Sequence, residues 1–200
     1  MFTSRAEFRI LLRQDNADLR LTERSYKIGL ADRRRYDLMV AKYDAVDRLT
    51  SLCEQNNLTA ASVNPYLENC GSAALSESKK ISDIATRPEV SLFDLLSFVP
   101  RGTLSRYGFS EIPSVDVADA VEINLKYRGY ISRERELVDK MRRLEDLVIP
   151  DNFDFDKISG LTIECRQKFK KYSPHTIAQA SRISGVSPAD ISVLLVYFGR

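Results

Sequence analysis

The chain has 200 residues, 44% of them hydrophobic, which is enough for one large or two small domains with a buried core. Thirty Lys and Arg against 28 Asp and Glu leave a net charge of only +2. This balance excludes a general polycation, so any nucleic-acid site must come from local clusters of charge.

The N-terminal stretch opens with a capping box, Ser4–Glu7, ahead of an apolar run. If the run is helical, Arg5, Arg9 and Arg13 recur every four residues and share one face. A strand over residues 8–12 is the alternative, because so short a run cannot be assigned by periodicity. Such a row of like charges suits a solvated face, and it is also what phosphates or an acidic partner would select.

Two helices are predicted next. Turn and capping residues at 15–18 begin the first, which ends near Gly29. Asp32 caps the second, a long helix that reaches about Gln55.

Residues 56–80 are rich in Asn, Ser, Ala and Glu and predict a surface connection with short helical pieces. Within it, Asn64–Pro65 and Cys70–Gly71 indicate turns. Two short helices are expected over 81–86 and 91–99, the second of them closed by Pro100.

The longest periodic segment runs from Asp116 to about Val148, and its apolar stripe is wide enough to pack against the helix of residues 32–55. Gly129 interrupts it, and a mid-helix glycine costs about 1 kcal/mol, which suggests close approach of another group. The aromatic and basic side chains of this segment have two interpretations. They bind nucleic acid, or the tyrosines are half-buried with the aliphatic parts of Lys and Arg side chains packed around them. These side chains are Lys126, Tyr127, Arg128, Tyr130, Arg133 and Arg135.

A final module adds a helix over Thr162–Tyr172 and a hairpin over 173–199. The hairpin is predicted to contain helices at Pro174–Ile183 and Pro188–Phe198, with Ser173 capping the first of them.

The hairpin turn has its own capping chemistry. Gly185 stands where a helix end requires a left-handed residue, and Ser187 forms a capping pair with Asp190. The turn has two interpretations. It only connects two helices that pack together, or it is a helix-hairpin-helix motif whose backbone N–H groups bind phosphate.

These elements predict an all-α fold, a helical bundle built on two long helices with a smaller C-terminal helical subdomain that ends in a helix-turn-helix hairpin. The expected boundaries are 1–31, 32–150 and 151–200.

The sequence lacks the usual motifs of catalysis. There is no G-x-G-x-x-G, P-loop or G-x-S-x-G, so no catalytic or cofactor-binding residue is nominated. With three scattered cysteines and one histidine, neither a metal site nor a catalytic thiol is expected; the cysteines fit reduced core residues of a cytoplasmic protein. No apolar run reaches membrane length.

Four long stretches occur in one order along the chain, and they are TSRAEFRILLRQDNADLRLT, VEINLKYRGYI, ISGL followed by Glu164, and QASRISGVSPADISVLLVYF. Together they resemble the C-terminal region of the MnmG/GidA family, flavin-dependent proteins that install the carboxymethylaminomethyl group on the wobble uridine of tRNA. The resemblance runs from Phe2 to Phe198 and is loose over residues 56–110.

The resemblance implies that this chain is a non-catalytic part of a longer protein. Family members carry an N-terminal FAD-binding domain and form homodimers, so FAD belongs to the full-length protein and none is expected here. The family associates this helical region with binding the tRNA anticodon arm and docking the partner GTPase MnmE. Residues 1–31 adjoin the missing FAD domain, so Arg5–Arg20 face either that domain or RNA.

Carried onto this sequence, the resemblance favours two sets of residues. The tRNA-binding set is Arg5, Arg9, Arg13, Arg20, Lys126, Tyr127, Arg128, Tyr130, Arg133 and Arg182. The partner-docking set is Glu164, Arg182, Gly185 and Ser187. The alternative is a module that only recruits the GTPase, with tRNA bound elsewhere.

Overall fold

The structure is a computed structural model that describes residues 8–151 and 153–198. The regular secondary structure of these residues is helical apart from one small two-stranded sheet and an isolated bridge between Val148 and Thr176, which confirms the all-α prediction. The chain divides into a first unit, Met1–Ser132, and a second unit, Arg133–Arg200. The domain boundaries expected after residues 31 and 150 stay predictions.

The helices of the first unit are α1 (Ala17–Lys27), α2 (Arg33–Gln55), α3 (Ala60–Asn69), α4 (Ile81–Ala85), α5 (Leu92–Leu95) and α6 (Arg101–Arg106). A 3-10 turn, Leu96–Phe98, follows α5, and β1 (Asn57–Leu58) pairs antiparallel with β2 (Lys79–Lys80). The long helix α7 (Val115–Asp146) continues into the second unit, which adds the 3-10 turn Phe155–Lys157 and the helices α8 (Ile163–Tyr172), α9 (Ile177–Ser181) and α10 (Pro188–Phe198).

Local capping chemistry explains why the first two helices could be predicted correctly. Gly29 adopts φ +78°, which ends α1, and Asp32 Oδ1 accepts a hydrogen bond of 2.7 Å from Arg35 N, which starts α2. Both signals act over a few residues and therefore survive in any tertiary context.

The N-terminal run is neither the helix nor the strand that the sequence left open. Residues 8–11 form a turn, in which Leu11 N and Leu12 N both donate to Phe8 O, and Arg13 has no regular secondary structure. A continuous helical stripe through Arg9 and Arg13 is therefore wrong. Arg5 and the capping box Ser4–Glu7 lie outside the described residues.

One other local prediction is corrected. The Asn64–Pro65 pair lies inside α3 instead of forming a turn. The Asn64 side chain accepts from Leu75 N (2.7 Å) and donates to Leu75 O (3.0 Å), and these bonds to a distant loop are not visible in the local sequence. Pro100 is confirmed as the end of the second short helical stretch, whose 3-10 turn ends at Phe98, and it also occupies the cap position that precedes α6.

The core of the first unit joins the two long helices, which confirms the predicted apolar stripe for the first part of α7. Side chains of α2, α4, α5 and α7 belong to one buried cluster. From α2 and α7 its members are Val46, Leu49, Leu52, Cys53, Val117, Ala118, Val121 and Leu125.

The second unit has a separate core around Phe169, Ile177 and Leu194, all fully buried. The hairpin's second helix has its predicted bounds, but α9 begins at Ile177 instead of Pro174. Ser173 adopts φ +43° and ends α8, and Thr176 Oγ1 accepts from Gln179 N (3.2 Å) to cap α9. Two helix ends within four residues leave no room for the longer helix.

Candidate functional site

The predicted arginines near the N-terminus are largely engaged within the first unit. The Arg13 guanidinium bonds Asp15 (3.0 Å) and Asn124 (3.2 Å), and only 15% of its side chain is exposed. Arg20 bonds Asn16 Oδ1 (2.8 Å) and the backbone O of Arg13 (3.1 Å). These two cations therefore fasten the N-terminal turns to α1 and α7.

Arg9 differs from them. It is exposed, and within residues 8–151 and 153–198 it makes no hydrogen bond or ion pair. Among the described residues, therefore, no side chain or backbone group competes with a ligand for the Arg9 charge, and Arg5 lies outside the described residues.

Lys126 is the most heavily engaged of the predicted RNA-binding cations. Its Nζ donates to Glu122 Oε1 (2.7 Å), Val90 O (2.9 Å) and Pro88 O (3.3 Å), and only 20% of the side chain is exposed. The other oxygen of Glu122 accepts from Leu92 N (2.6 Å) at the start of α5. The Lys126–Glu122 pair thus staples α7 to the loop before α5.

The remaining predicted groups on α7 fall into two kinds. Arg128 is paired with Glu54 of α2. Tyr127 and Tyr130 are 42% and 60% exposed, with ring centroids 6.3 Å apart and planes inclined by 52°. Arg133 is exposed in the second unit. The sequence grouped these residues by spacing, and the structure separates the paired cations from the open aromatic rings.

In the second unit two of the predicted docking residues come together. Lys168 Nζ donates to Glu164 Oε1 (2.6 Å) and to Ser184 O in the hairpin turn. Gly185 has φ +84°, a backbone conformation that favours glycine, and a Cβ there would displace the Lys168 ammonium from its present position. We call this the Lys168 hook, formed by Glu164, Lys168, Ser184 and Gly185.

The predicted Ser187–Asp190 cap is confirmed and extends further than expected. Ser187 N and Oγ donate to Asp190 Oδ2 (3.1 and 2.6 Å), and Asp190 N donates back to Ser187 Oγ (3.1 Å). Asp190 Oδ1 also accepts from Thr162 N (2.9 Å) at the start of α8. Burial raises the pKa of Asp190, but the hydrogen bonds from Ser187 and Thr162 outweigh it and hold that pKa below its usual value.

A shallow apolar groove of about 600 Å³ opens on the second unit between the 157–160 segment and α10. Val196 and Tyr197 line it while remaining 67% and 49% exposed. No sequence signal marks this groove, because its two walls are more than 30 residues apart in the chain. Arg182 lines a smaller groove of about 380 Å³ beside Tyr172.

The cysteines behave as core residues where they are buried. Burial, with a contribution from the adjacent Glu54, raises the pKa of Cys53 to about 12. Burial and then Asp190 raise the pKa of Cys165 to about 12. Thiols with such pKa values are protonated at neutral pH and are poor nucleophiles.

Two negative observations concern only the described part of the chain. Its Asp, Glu, His and Cys side chains form no group of three or more that could hold a metal ion. Its helices include none that combines the length and the apolar character needed to cross a membrane.

Comparison with known protein families gives two adjacent matches. Residues 33–135 match the model described as tRNA modifying enzyme MnmG/GidA C-terminal helical domain. Residues 137–200 match the model described as tRNA modifying enzyme MnmG/GidA C-terminal helical bundle.

Similar proteins include two named tRNA uridine 5-carboxymethylaminomethyl modification enzyme MnmG. That of Bacteroides fragilis is 46% identical over 200 residues, and that of Parabacteroides distasonis 46% over 202; each match covers 100% of this chain and 32% of the relative. The solved structure of Aquifex aeolicus GidA in the form II crystal superposes with a TM-score of 0.65 at 35% identity, over 98% of this chain and 29% of that one. The chain therefore spans about a third of the length of the relatives it matches.

Proposed function

This chain belongs to the MnmG/GidA family of tRNA-modifying enzymes, and we propose that it is the part of such an enzyme that binds tRNA and docks a partner GTPase. The observation that carries the RNA proposal is the set of open, ligand-accessible groups at predicted positions. These groups are Arg9, Tyr127, Tyr130 and Arg133.

The other predicted RNA-binding residues take supporting roles in this proposal. Arg13, Arg20, Lys126 and Arg128 hold the surface in shape, since their cations already have partners in the first unit. Arg182 contributes from its groove in the second unit, and Arg5 extends the basic set toward the N-terminus.

Binding of the chain to transcribed tRNA tests the proposal. Because Lys and Arg release counterions when they bind phosphates, we expect affinity to fall steeply with rising salt. The double variant Arg9→Gln, Arg133→Gln should weaken binding several-fold and reduce the slope of log K against log salt by about 2, roughly one for each phosphate that is no longer neutralised. Arg101→Gln, an exposed arginine outside the proposed site, is the control. Absent or salt-independent binding would remove the RNA proposal.

A second function, docking of an MnmE-like GTPase, is favoured by the groove beside α10. Its apolar Val196 and Tyr197 remain open to solvent, which is typical of an interaction site, and the Lys168 hook fixes the hairpin that carries α10. In this proposal Glu164 and Gly185 shape the hook, Ser187 caps α10, and Arg182 lies at the surface.

A pull-down with the purified GTPase measures docking directly. Val196→Glu should lower retention of the GTPase at least tenfold, because it places a charge in the apolar groove without disturbing the buried core. The matched control is Ile163→Glu, since Ile163 is 73% exposed in the same unit and does not line the groove. Equal retention of the GTPase by both variants would count against docking at this groove. If the chain docked the GTPase but bound no tRNA, it would be a module that only recruits the GTPase.

The first unit also offers a surface for the rest of a longer protein. Val46 is the first buried hydrophobic side chain of the described chain, while several large apolar side chains in α1, in the connection to α2 and in the first part of α2 are 45–79% exposed. These are Leu19, Leu21, Ile28, Leu30, Leu38 and Val40. We propose that the FAD-binding region of the full-length protein covers this surface. In this proposal the FAD-binding region holds FAD, carries out the reaction at the wobble uridine and contributes the homodimer contacts, and the protein acts in the cytoplasm. The chain described here is then the non-catalytic part of the enzyme.

A further inference from the structure

Tyr127 and Tyr130 are exposed, and their hydroxyls make no hydrogen bond in the described part of the chain. In contrast, the hydroxyls of Tyr43, Tyr66 and Tyr107 are hydrogen-bonded to neighbouring elements. Over residues 8–151 and 153–198, the Tyr127 and Tyr130 hydroxyls have no such partner, and the aromatic ring that each of them contacts is that of the other. Large aromatic side chains left in this state on a helix are typical of a binding surface.

The helix has open space at Gly129, which lies between the two tyrosines in sequence. A Cβ added there would meet no atom within 4 Å. Packing inside the first unit therefore does not explain the glycine, which costs a helix about 1 kcal/mol relative to alanine. The missing side chain leaves space at the backbone for a flat group to approach.

The two cations that flank Tyr127 in sequence are already paired. Lys126 is held by Glu122 and two carbonyl oxygens, and Arg128 is paired with Glu54. The open cation on this stretch of α7 is Arg133, three residues after Tyr130. The two rings themselves are therefore suited to a planar group with little charge, and Arg133 to a phosphate next to it.

We propose that Tyr127 and Tyr130 form a stacking platform for unpaired RNA bases, an inference that rests on the proposed tRNA-binding function and specifies how it is achieved. Every base has a π-face that can stack on tyrosine, but bases within a duplex are covered by their neighbours. The platform thus reads unpaired loops, while other residues bind the phosphates.

Two double variants and two RNA probes test the platform. Tyr127→Ala, Tyr130→Ala should lower affinity for transcribed tRNA at least tenfold and leave the salt slope unchanged, because stacking releases no counterions. Tyr127→Phe, Tyr130→Phe keeps the rings and should bind within about twofold of the parent. A blunt RNA duplex with the same number of phosphates should bind all three proteins equally. Leu137→Ala removes a 52% exposed side chain from the same helix, at a position with no proposed role in binding, and is the control.

Several results would overturn the platform. If the alanine pair binds tRNA as tightly as the parent, or loses duplex affinity to the same degree, or reduces the salt slope, the rings do not stack on unpaired bases. Each of those results leaves the proposed tRNA-binding function standing, since the parent still binds. A parent chain that binds no tRNA overturns both, and circular dichroism of each double variant separates misfolding from an absence of stacking.

Discussion

Replacing Asp190 by alanine is expected to destabilise the second unit by about 3 kcal/mol. The carboxylate is 2% exposed and serves two helices, capping α10 through Ser187 and meeting the first turn of α8 through Thr162. The variant keeps the bond from the backbone N of residue 190 to Ser187 Oγ, but Thr162 N, Ser187 N and Ser187 Oγ all lose their acceptor. Each shielded donor left without an acceptor costs about 1 kcal/mol.

Hydrogen exchange of the backbone amides in α8 and α10 measures this loss locally, which avoids assuming that both units unfold together. Asp139→Ala is the control, since Asp139 is an exposed helical carboxylate of the same unit. Protection that is equal in the two variants would show that the Asp190 hydrogen bonds contribute little.

The same carboxylate gives the second unit a defined response to acid. Its pKa in the folded chain lies below the ordinary value of 3.8, so its contribution is complete well above that pH and is lost as the pH falls through the folded pKa. The parent should therefore lose protection in α8 and α10 below about pH 4 more steeply than Asp190→Ala, which lacks the titrating group.

Replacing Lys126 by methionine is expected to destabilise the first unit by about 2 kcal/mol, a structural effect where the sequence indicated RNA binding. Methionine keeps the packing of the stem but leaves Glu122 half-buried without its cation and leaves Val90 O without its donor. Removing one partner of a shielded pair is costly because the other charge stays desolvated.

Urea unfolding followed by circular dichroism reports this change. The control is Lys27→Met, which breaks a Lys–Glu pair of the same helical spacing that is 68% and 53% exposed and should change stability by no measurable amount. The double variant Glu122→Gln, Lys126→Met should recover part of the loss, since it leaves no unpaired charge. If Lys126→Met instead retained full stability and lost tRNA affinity, the ammonium would be acting on RNA.

The sequence by itself determined the helix class, the two long helices and several helix ends. Those features depend on interactions between near neighbours, as in the Asp32 cap, the left-handed Gly29 and Gly185, and the Ser187–Asp190 pair. The sequence also allowed the family to be recognised, because four long stretches that resemble it occur in one order along the chain.

Only the tertiary structure decided which predicted cations are free to act. Arg13 reaches Asn124 across 111 positions, Arg128 reaches Glu54 across 74, and Lys126 reaches Val90 across 36. A basic or aromatic cluster in sequence does not reveal such partners, since the free energy of a surface charge depends on what the fold places beside it. The same limit hid the groove beside α10 and the bond between Asp190 and Thr162, whose parts meet only after the helices pack.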